Sequence, residues 1–306
     1  MIIAITAKDV QALREMTGVG MMDCKKALTE AEGNMDKAVE ILREKGLAAS
    51  QKKAGRIAAE GMAYAAVIDG VGVVVEVNAE TDFVAKNEKF VDFVKGVAAT
   101  VAANKPADMD ALMECKYAGT DMTVTQQQQE MVLVIGENIK VRRFALFTEG
   151  TSVPYIHAGG KIGVLVNLEV EGGIDATEIG KDVAMQIAAL NPRFWDKSQV
   201  TQDVLDEEKK IMLVQMENDP KMASKPEKVK ENIVMGKLNK FYAENCLLQQ
   251  EFVKDNQFTV EKYIASAAKA LGGNVTFKDA YRFAKGEGIE KKQENFAEEI
   301  AKQLAK

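Results

Sequence analysis

The sequence predicts an α+β protein with more than one domain, and three observations lead to this prediction. The chain has 306 residues, which is enough for two or more hydrophobic cores. Its first 46 residues repeat apolar positions at helical spacing, whereas valine-rich, strand-like segments follow later in the chain. Several residues of one strand-like region recur at a constant offset in another, which indicates a duplicated unit.

Composition and charge exclude several classes of protein. A net charge of −6 argues against nucleic-acid binding, which requires a concentrated basic face. No segment approaches the ~20 apolar residues of a membrane span, and the first residues show neither a signal peptide nor a transit peptide. The cysteines Cys24, Cys115 and Cys246 have neither disulfide nor zinc spacing. We therefore expect a cytoplasmic protein without a nucleic-acid or membrane partner.

Residues 1–46 are predicted to form a module of three short helices. Breaks are expected at TGVG and at EGN, and Gly46 is a natural helix stop. Residues 47–58 follow as a linker or a connecting helix. Because a module of ~40 residues is marginally stable alone, we expect it to be tethered and to act by binding. The predicted apolar stripes are Val10, Leu13 and Met16; Cys24, Ala27 and Leu28; and Ala38, Val39 and Leu42.

Residues 59–149 and 150–287 are predicted to be two related α/β subdomains, each a small sheet with helices on one side. Valine-rich GVGVVVEVN is typical of a buried strand, and GKIGVLVNLEV is its counterpart. RFALFTEG in the first subdomain is echoed by RFAKGEG in the second. Tyr64, Gly72, Val73 and Val75 recur at one constant offset as Tyr155, Gly163, Val164 and Val166.

The second subdomain is interrupted by a predicted antiparallel helical hairpin, residues 197–246. Its narrow apolar stripes on charged helices indicate a hairpin that stands away from the core. Residues 288–306 are predicted to form a C-terminal helical module. The stripes assigned to the hairpin are Val204, Ile211 and Val214 on one helix and Val229, Ile233, Gly236 and Lys240 on the other.

Few residues are suited to catalysis. A single histidine, His157, leaves no histidine metal cluster, and neither a nucleophile elbow nor a phosphate loop is present. AGGKIG around Gly159 leads into a strand, so no helix N-terminus is there to hold phosphate. Adjacent Met21 and Met22 point ~100° apart, so both cannot be central in so small a core. Either they mark a partner contact, or one packs and the other is idle. No catalytic residue, metal site or cofactor is predicted.

The segment NAETDFVAKNEKF, Asn78 to Phe90, joins a strand to a helix and allows two interpretations of Phe83. Counted back from Phe90 at ~100° per residue, Phe83 is in phase with the buried stripe and would be a core residue. If instead the helix begins near Asn87, whose amide can cap it, then Asp82 and Phe83 lie on the connecting loop.

Two long segments, Leu13 to Gly46 and Asn78 to Phe90, resemble the signatures of the bacterial elongation factor Ts family. KVRRFALF, HAGGKIGVLVNLEV and RFAKGEGIEKK match that family in the same order, so the resemblance covers nearly the whole chain. It implies a guanine nucleotide exchange factor of translation elongation, which binds GDP-loaded elongation factor Tu and promotes GDP release. It also implies a ubiquitin-associated-like fold for residues 1–46. The hairpin would be a coiled coil that some members use to dimerise, so a homodimer is a further expectation.

The resemblance also implies which residues contact the partner. In the family the Asp82–Phe83 pair protrudes and enters the partner beside its magnesium and phosphate site. We call Thr81, Asp82, Phe83 and Val84 the Phe83 segment and expect it to disturb that site. The other expected contacts are Val19, Met21, Met22, His157, Gly159 and Gly160. The alternative interpretation is a small-molecule α/β enzyme that uses His157 and the AGGK turn.

Overall fold

The computed structural model describes residues 5–290, apart from the side chains of Pro220 and Ala223. This part of the chain mixes helices with small sheets, as the predicted α+β class requires. Its helices are α1 (Ala7–Thr17), α2 (Met21–Glu30), α3 (Met35–Lys53), α4 (Glu88–Asn104), α5 (Met109–Glu114), α6 (Val124–Ile135), α7 (Thr177–Leu190), α8 (Gln202–Glu217), α9 (Pro220–Ala223), α10 (Glu227–Asn245) and α11 (Val260–Ala270). Its strands are β1 (Glu60–Ile68), β2 (Val71–Ala79), β3 (Lys140–Phe147), β4 (Thr151–His157), β5 (Ile162–Glu171), β6 (Glu251–Phe252), β7 (Asp255–Thr259) and β8 (Asn274–Ala284).

The described residues divide into two compact units. Unit 1 contains residues 5–146, 156–163 and 283–290, and unit 2 contains residues 147–155 and 164–282. The finer domain borders expected from the sequence stay predictions. The C-terminal helix expected within residues 288–306 lies almost entirely outside the described residues. Among the described helices, none combines the length and apolar character needed to cross a membrane.

Helices α1, α2 and α3 form the predicted N-terminal module around a small core. A capping box starts α1, where the Thr6 hydroxyl accepts from Asp9 N and the Asp9 carboxylate accepts from Thr6 N. The predicted stripes are largely buried, but Met16 is 65% exposed. Each three-residue step falls about 60° short of a full turn, so Met16 has rotated away from Val10 and out of the core.

Gly46 does not end α3, which continues to Lys53, so the first part of the predicted 47–58 linker is helix. Gly46 is buried, and a Cβ at this position would lie 3.3 Å from the carbonyl oxygen of Gln129 in α6. Leu133 and Val134 of α6 pack against the core of the module. Of the two alternatives for residues 47–58, the connecting helix is thus the one found up to Lys53, and the tethering of the module stays a prediction. Helix packing offsets the ~1 kcal/mol that glycine costs inside a helix.

Strands β1, β2 and β3 form one sheet in that order, with β1 and β2 paired antiparallel. Asp69 and Gly70 connect them with φ angles of 49° and 79°, the backbone that a tight hairpin of right-twisted strands requires. Every residue of β2 is buried, and its Val73, Val75 and Val77 pack with the apolar face of α4. This packing holds the end of β2 and the start of α4 in place.

Strands β4, β5 and β8 form a second sheet with the same arrangement, a hairpin followed by a later strand beside its second member. The repeated residues occupy equivalent places. Tyr64 and Tyr155 lie on the first strands, Gly72 and Gly163 on the second strands, and the RFA motifs on the third. The predicted duplication is thus visible in the strand order.

Helices α8 and α10 form the predicted hairpin, and the stripes assigned from the sequence are only partly correct: Val204 and Ile233 pack against its core. Ile211, Val214 and Val229 are 45%, 48% and 39% exposed. In α8, residues 211–214 are all apolar, so periodicity alone could not identify the face that packs. The buried residues of the hairpin are Met212, Met216, Val234, Leu238 and Phe241.

A buried carboxylate joins three segments of unit 1. Glu76 of β2 is fully buried and accepts hydrogen bonds from Arg142 Nη1 at 2.9 Å and Arg143 Nε at 2.6 Å. It also accepts from Asn78 Nδ2 at 3.0 Å and from the backbone N–H of Gly286 at 2.8 Å. Burial by itself would raise the pKa of Glu76, but these four donors outweigh it and hold the pKa below its ordinary value.

Candidate functional site

Phe83 is the most exposed large apolar side chain of the described residues, with 81% of its surface accessible. The connection between β2 and α4 contains a short 3-10 turn, Val84–Lys86, and α4 begins only at Glu88. The Asn87 side chain caps α4 by accepting from Lys89 N at 3.0 Å. The cap therefore decides between the two interpretations of Phe83, which lies on the loop. Phe83 is in phase with the buried stripe of α4, but this does not bury its side chain, because the residue precedes the helix.

Asp82 lies beside Phe83 and is also exposed. Its carboxylate is 3.7 Å from Lys86 Nζ, and both side chains are more than half accessible to solvent. An ion pair of this kind contributes little to stability, so neither side chain of the Asp82–Phe83 pair is needed to hold the fold together. The two residues place a carboxylate and an aromatic ring side by side on the surface of unit 1.

The other two residues of the Phe83 segment point inward. Val84 is only 8% exposed and packs in the same core as Phe90. Thr81 is half-buried, and both its backbone N–H and its hydroxyl donate to the carboxylate of Glu137, at 3.0 and 2.7 Å. Thr81 and Val84 thus anchor the segment while Asp82 and Phe83 face solvent. Their expected role as direct partner contacts stays a prediction.

Sequence analysis did not identify Glu137, which lies just after α6. Its carboxylate also accepts from Glu80 N at 3.1 Å, so it binds three donors of the chain leading into Asp82. Gly136, which caps α6 with φ of 85°, turns the chain toward this position. A side chain that binds the backbone of a distant loop leaves no periodic pattern, and no sequence signal could have located it.

The N-terminal module presents a second exposed apolar group. Met21 and Met22 are the first two residues of α2 and are 41% and 65% exposed. Neither side chain belongs to the core of the module, and their expected contact with a partner stays a prediction. Val19 was expected to contact the partner, but its side chain is 1% exposed and packs in the core of the module with Cys24.

Lys89 links the methionine group to the helix that follows Phe83. Its Nζ donates to the carbonyl oxygen of Gly18 at 3.2 Å. Gly18 ends α1 with φ of 68°, two residues before the cap of α2. Lys89 and Gly18 also line a groove together with Met21. The start of α4 and the start of α2 are thus neighbours in unit 1.

His157, Gly159 and Gly160 form the turn between β4 and β5. His157 and Gly159 are exposed, whereas Gly160 is buried. A Cβ on Gly160 would lie 2.6 Å from Met62 Cγ, and the Gly160 carbonyl accepts from Ala63 N at 2.8 Å. Gly160 therefore fits this turn against β1, while His157 and Gly159 face outward.

All the predicted contact residues belong to unit 1. Asp82, Phe83, Met21, Met22 and His157 present exposed side chains there. Within residues 5–290, no group of three or more histidine, cysteine, aspartate or glutamate side chains is arranged to hold a metal ion. The exposed groups are mostly apolar and adaptable, which is typical of a surface that binds another protein.

Comparison with known proteins gives consistent matches. The family model described as Elongation factor TS matches residues 80–287. Elongation factor Ts of Clostridium kluyveri is 49% identical over 306 residues, which cover 98% of this chain and 99% of that protein. Elongation factor Ts of Syntrophotalea carbinolica is 48% identical over 301 residues, covering 97% and 98%. The Clostridium botulinum protein of the same name is 46% identical over 306 residues, covering 98% of each.

Proposed function

The chain belongs to the elongation factor Ts family of translation elongation factors, and from this premise we propose that it exchanges guanine nucleotide on elongation factor Tu. It binds the GDP-loaded form and promotes the release of GDP. The observation that carries this proposal is Phe83, an aromatic ring 81% exposed on a segment whose neighbours are anchored. Exposure of an apolar ring to water is unfavourable, so covering it with the surface of a partner contributes favourably to binding.

The proposed mechanism is displacement rather than covalent chemistry. A GTPase holds GDP through backbone N–H groups, a lysine and a magnesium ion, and the ion neutralises phosphate charge. The Phe83 ring enters the partner beside that site and shifts the helix and loop that hold the ion. The Asp82 carboxylate competes for polar groups that would otherwise support the magnesium. Weakening the metal site weakens GDP binding, and no covalent bond is made or broken, so the protein does not act as an enzyme.

Thermodynamic linkage determines how much binding free energy the interface with the partner must supply. If the exchange factor weakens GDP, then GDP weakens the exchange factor by the same factor. Typical coupling free energies of ~1–3 kcal/mol correspond to ~5–150-fold, and an efficient exchanger needs the upper end of this range or more. Contacts beyond Phe83 therefore have to hold the complex together. Met21, Met22, His157 and Gly159 are suited to this role because they are exposed in unit 1.

The test is release of a fluorescent GDP analogue from purified elongation factor Tu. Catalytic amounts of this protein should accelerate release, because one molecule can act on many GTPases in turn, and should leave GTP unhydrolysed. Release without this protein is the control. No acceleration at micromolar concentrations would contradict the proposal.

We also propose that the partner and the chain meet in the cytoplasm, and that the α8–α10 hairpin joins two chains into a homodimer. The homodimer is supported by three apolar side chains that the hairpin leaves exposed, Ile211, Val214 and Val229. Sedimentation velocity should give the mass of a dimer that Ile211→Glu reduces to a monomer. A monomer for the unchanged protein at high concentration would rule the dimer out.

A further inference from the structure

Two loops of unit 1 hold each other through their glutamates. Glu137, after α6, accepts from the backbone N–H of Glu80 at 3.1 Å and of Thr81 at 3.0 Å, and from the Thr81 hydroxyl at 2.7 Å. In return, Glu80 accepts from the backbone N–H of Asn138 at 2.6 Å. Each carboxylate thus satisfies the backbone of the opposite loop. We call Glu80, Thr81, Glu137 and Asn138 the glutamate clasp.

A third segment of the chain joins the clasp. Asn138 is 8% exposed, and its Nδ2 donates to the carbonyl oxygen of Arg56 at 2.8 Å. Arg56 Nη1 lies 3.4 Å from Glu80 Oε1. Arg56 belongs to the connection between α3 and β1, so the clasp ties this connection to both loops.

The glutamate clasp binds backbone N–H groups that lie beyond the hydrogen bonds of the β1–β2 pair. The β1–β2 ladder ends at the pair Glu60–Ala79, so Glu80 and Thr81 lie beyond its last paired residue. Their N–H groups would otherwise be satisfied by water, and the chain would be free to change conformation. Hydrogen bonds to an ionised carboxylate are stronger than neutral ones, and three of them converge on Glu137. Asp82 and Phe83 follow this fixed point directly.

We propose that Glu137 is a positioning residue for nucleotide exchange, which holds the Phe83 segment in the conformation that enters the partner. This inference rests on the proposed exchange function. A segment ordered in advance loses less conformational entropy on binding, so more of the contact energy is left for displacing the nucleotide. Glu137 does not contact the partner in this role and acts only through Asp82 and Phe83.

The first arm of the test compares exchange rates at saturating exchange factor. Glu137→Ala should slow GDP release about tenfold, the ratio that corresponds to losing one charge-assisted hydrogen bond. Glu137→Gln should have a smaller effect because its amide oxygen still accepts from Thr81. The matched control is Glu114→Ala, an exposed glutamate at the end of α5 in the same unit, which should leave the rate unchanged.

The second arm separates positioning from a structural role. In a chain that already carries Phe83→Ala, Glu137→Ala should cause a smaller further loss of exchange than it does in the unchanged protein, because only Asp82 is then left to position. Amide hydrogen exchange should show that Glu80 and Thr81 lose protection in Glu137→Ala while β2 keeps it. If the two substitutions multiply, or if the Glu80 and Thr81 amides stay protected, the inference is wrong.

The remaining outcomes are also decisive. If Glu137→Ala does not fold, Glu137→Gln takes its place. Its effect on exchange is measured in the unchanged protein and in the chain that carries Phe83→Ala, and it should be smaller in the second. Unaltered exchange in a folded Glu137→Ala overturns the positioning role but leaves the exchange function intact. Failure of the unchanged protein to release GDP contradicts the proposed function itself, which distinguishes the two failures.

Discussion

Phe83→Ala is expected to slow GDP release from elongation factor Tu by a factor of about 30 or more and to leave the thermal unfolding midpoint unchanged. The kinetic estimate is the effect of removing an aromatic interface residue worth ~2 kcal/mol or more. Stability should be preserved because 81% of the side chain already faces solvent, and surface substitutions usually change the free energy of unfolding by less than ~0.5 kcal/mol. The two measurements are fluorescent GDP release and thermal melting of the same preparation.

Phe90→Ala is the matched control for Phe83→Ala. Phe90 is fully buried in the same core that Val84 joins, a short distance along the chain. Truncating a buried phenylalanine costs ~3–5 kcal/mol, so Phe90→Ala should lower the melting temperature clearly. If Phe83→Ala destabilises the protein as Phe90→Ala does, and exchange falls only in proportion to unfolding, then the ring stabilises the fold and does not act on the partner.

Asp82→Ala should slow exchange severalfold, again without loss of stability, because Asp82 makes only an exposed ion pair with Lys86. The double substitution of Asp82 and Phe83 should be worse than either single one but less than their product. In the proposed mechanism both side chains act at one site of the partner, and neighbouring groups of this kind are not additive.

The sequence predicted the fold best where the burial of a side chain follows from the periodicity of its own helix. Cys24, Leu28 and Phe90 are buried as predicted, since each belongs to a stripe of apolar residues at helical spacing along its helix. It failed where a neighbour in space decides. Gly46 stays inside α3 because α6 packs closely there. Ile211 was assigned to the buried face although it is exposed, because the run of apolar residues in α8 is compatible with several faces.

The candidate site could be predicted only as a set of segments. Resemblance to the family identified the segments around Met21, Phe83 and His157, but it could not say which way each side chain points. Val19 and Gly160 lie in the predicted segments and are buried, because they fit their turns against the core. The orientation of Phe83 depended on where the Asn87 cap starts α4, which periodicity left open.

Glu76→Ala is expected to lower the free energy of unfolding by about 3–5 kcal/mol, the usual cost of removing one partner of a buried ion pair. The substitution leaves Arg142 and Arg143, both largely buried, without the carboxylate they share. It also removes the acceptor of the Gly286 N–H. Urea unfolding followed by circular dichroism measures the change. The control is Glu169→Ala, whose ion pair with Lys278 is exposed on both sides and should contribute less than ~1 kcal/mol.

The pH dependence of unfolding tests the same carboxylate independently. The pKa of Glu76 is lowered in the folded protein, so its contribution to stability is fully present above the ordinary glutamate value of 4.5. Below that value the unfolded chain binds the proton first, and the contribution is lost as the pH falls through the lower folded pKa. The unchanged protein should therefore lose more stability than Glu76→Gln does as the pH falls from 4.5 through the lower folded pKa, since the amide does not titrate. Equal losses in the two proteins would mean that Glu76 is not held as a carboxylate by Arg142, Arg143 and Gly286, and the charge network would then contribute nothing that depends on its ionisation.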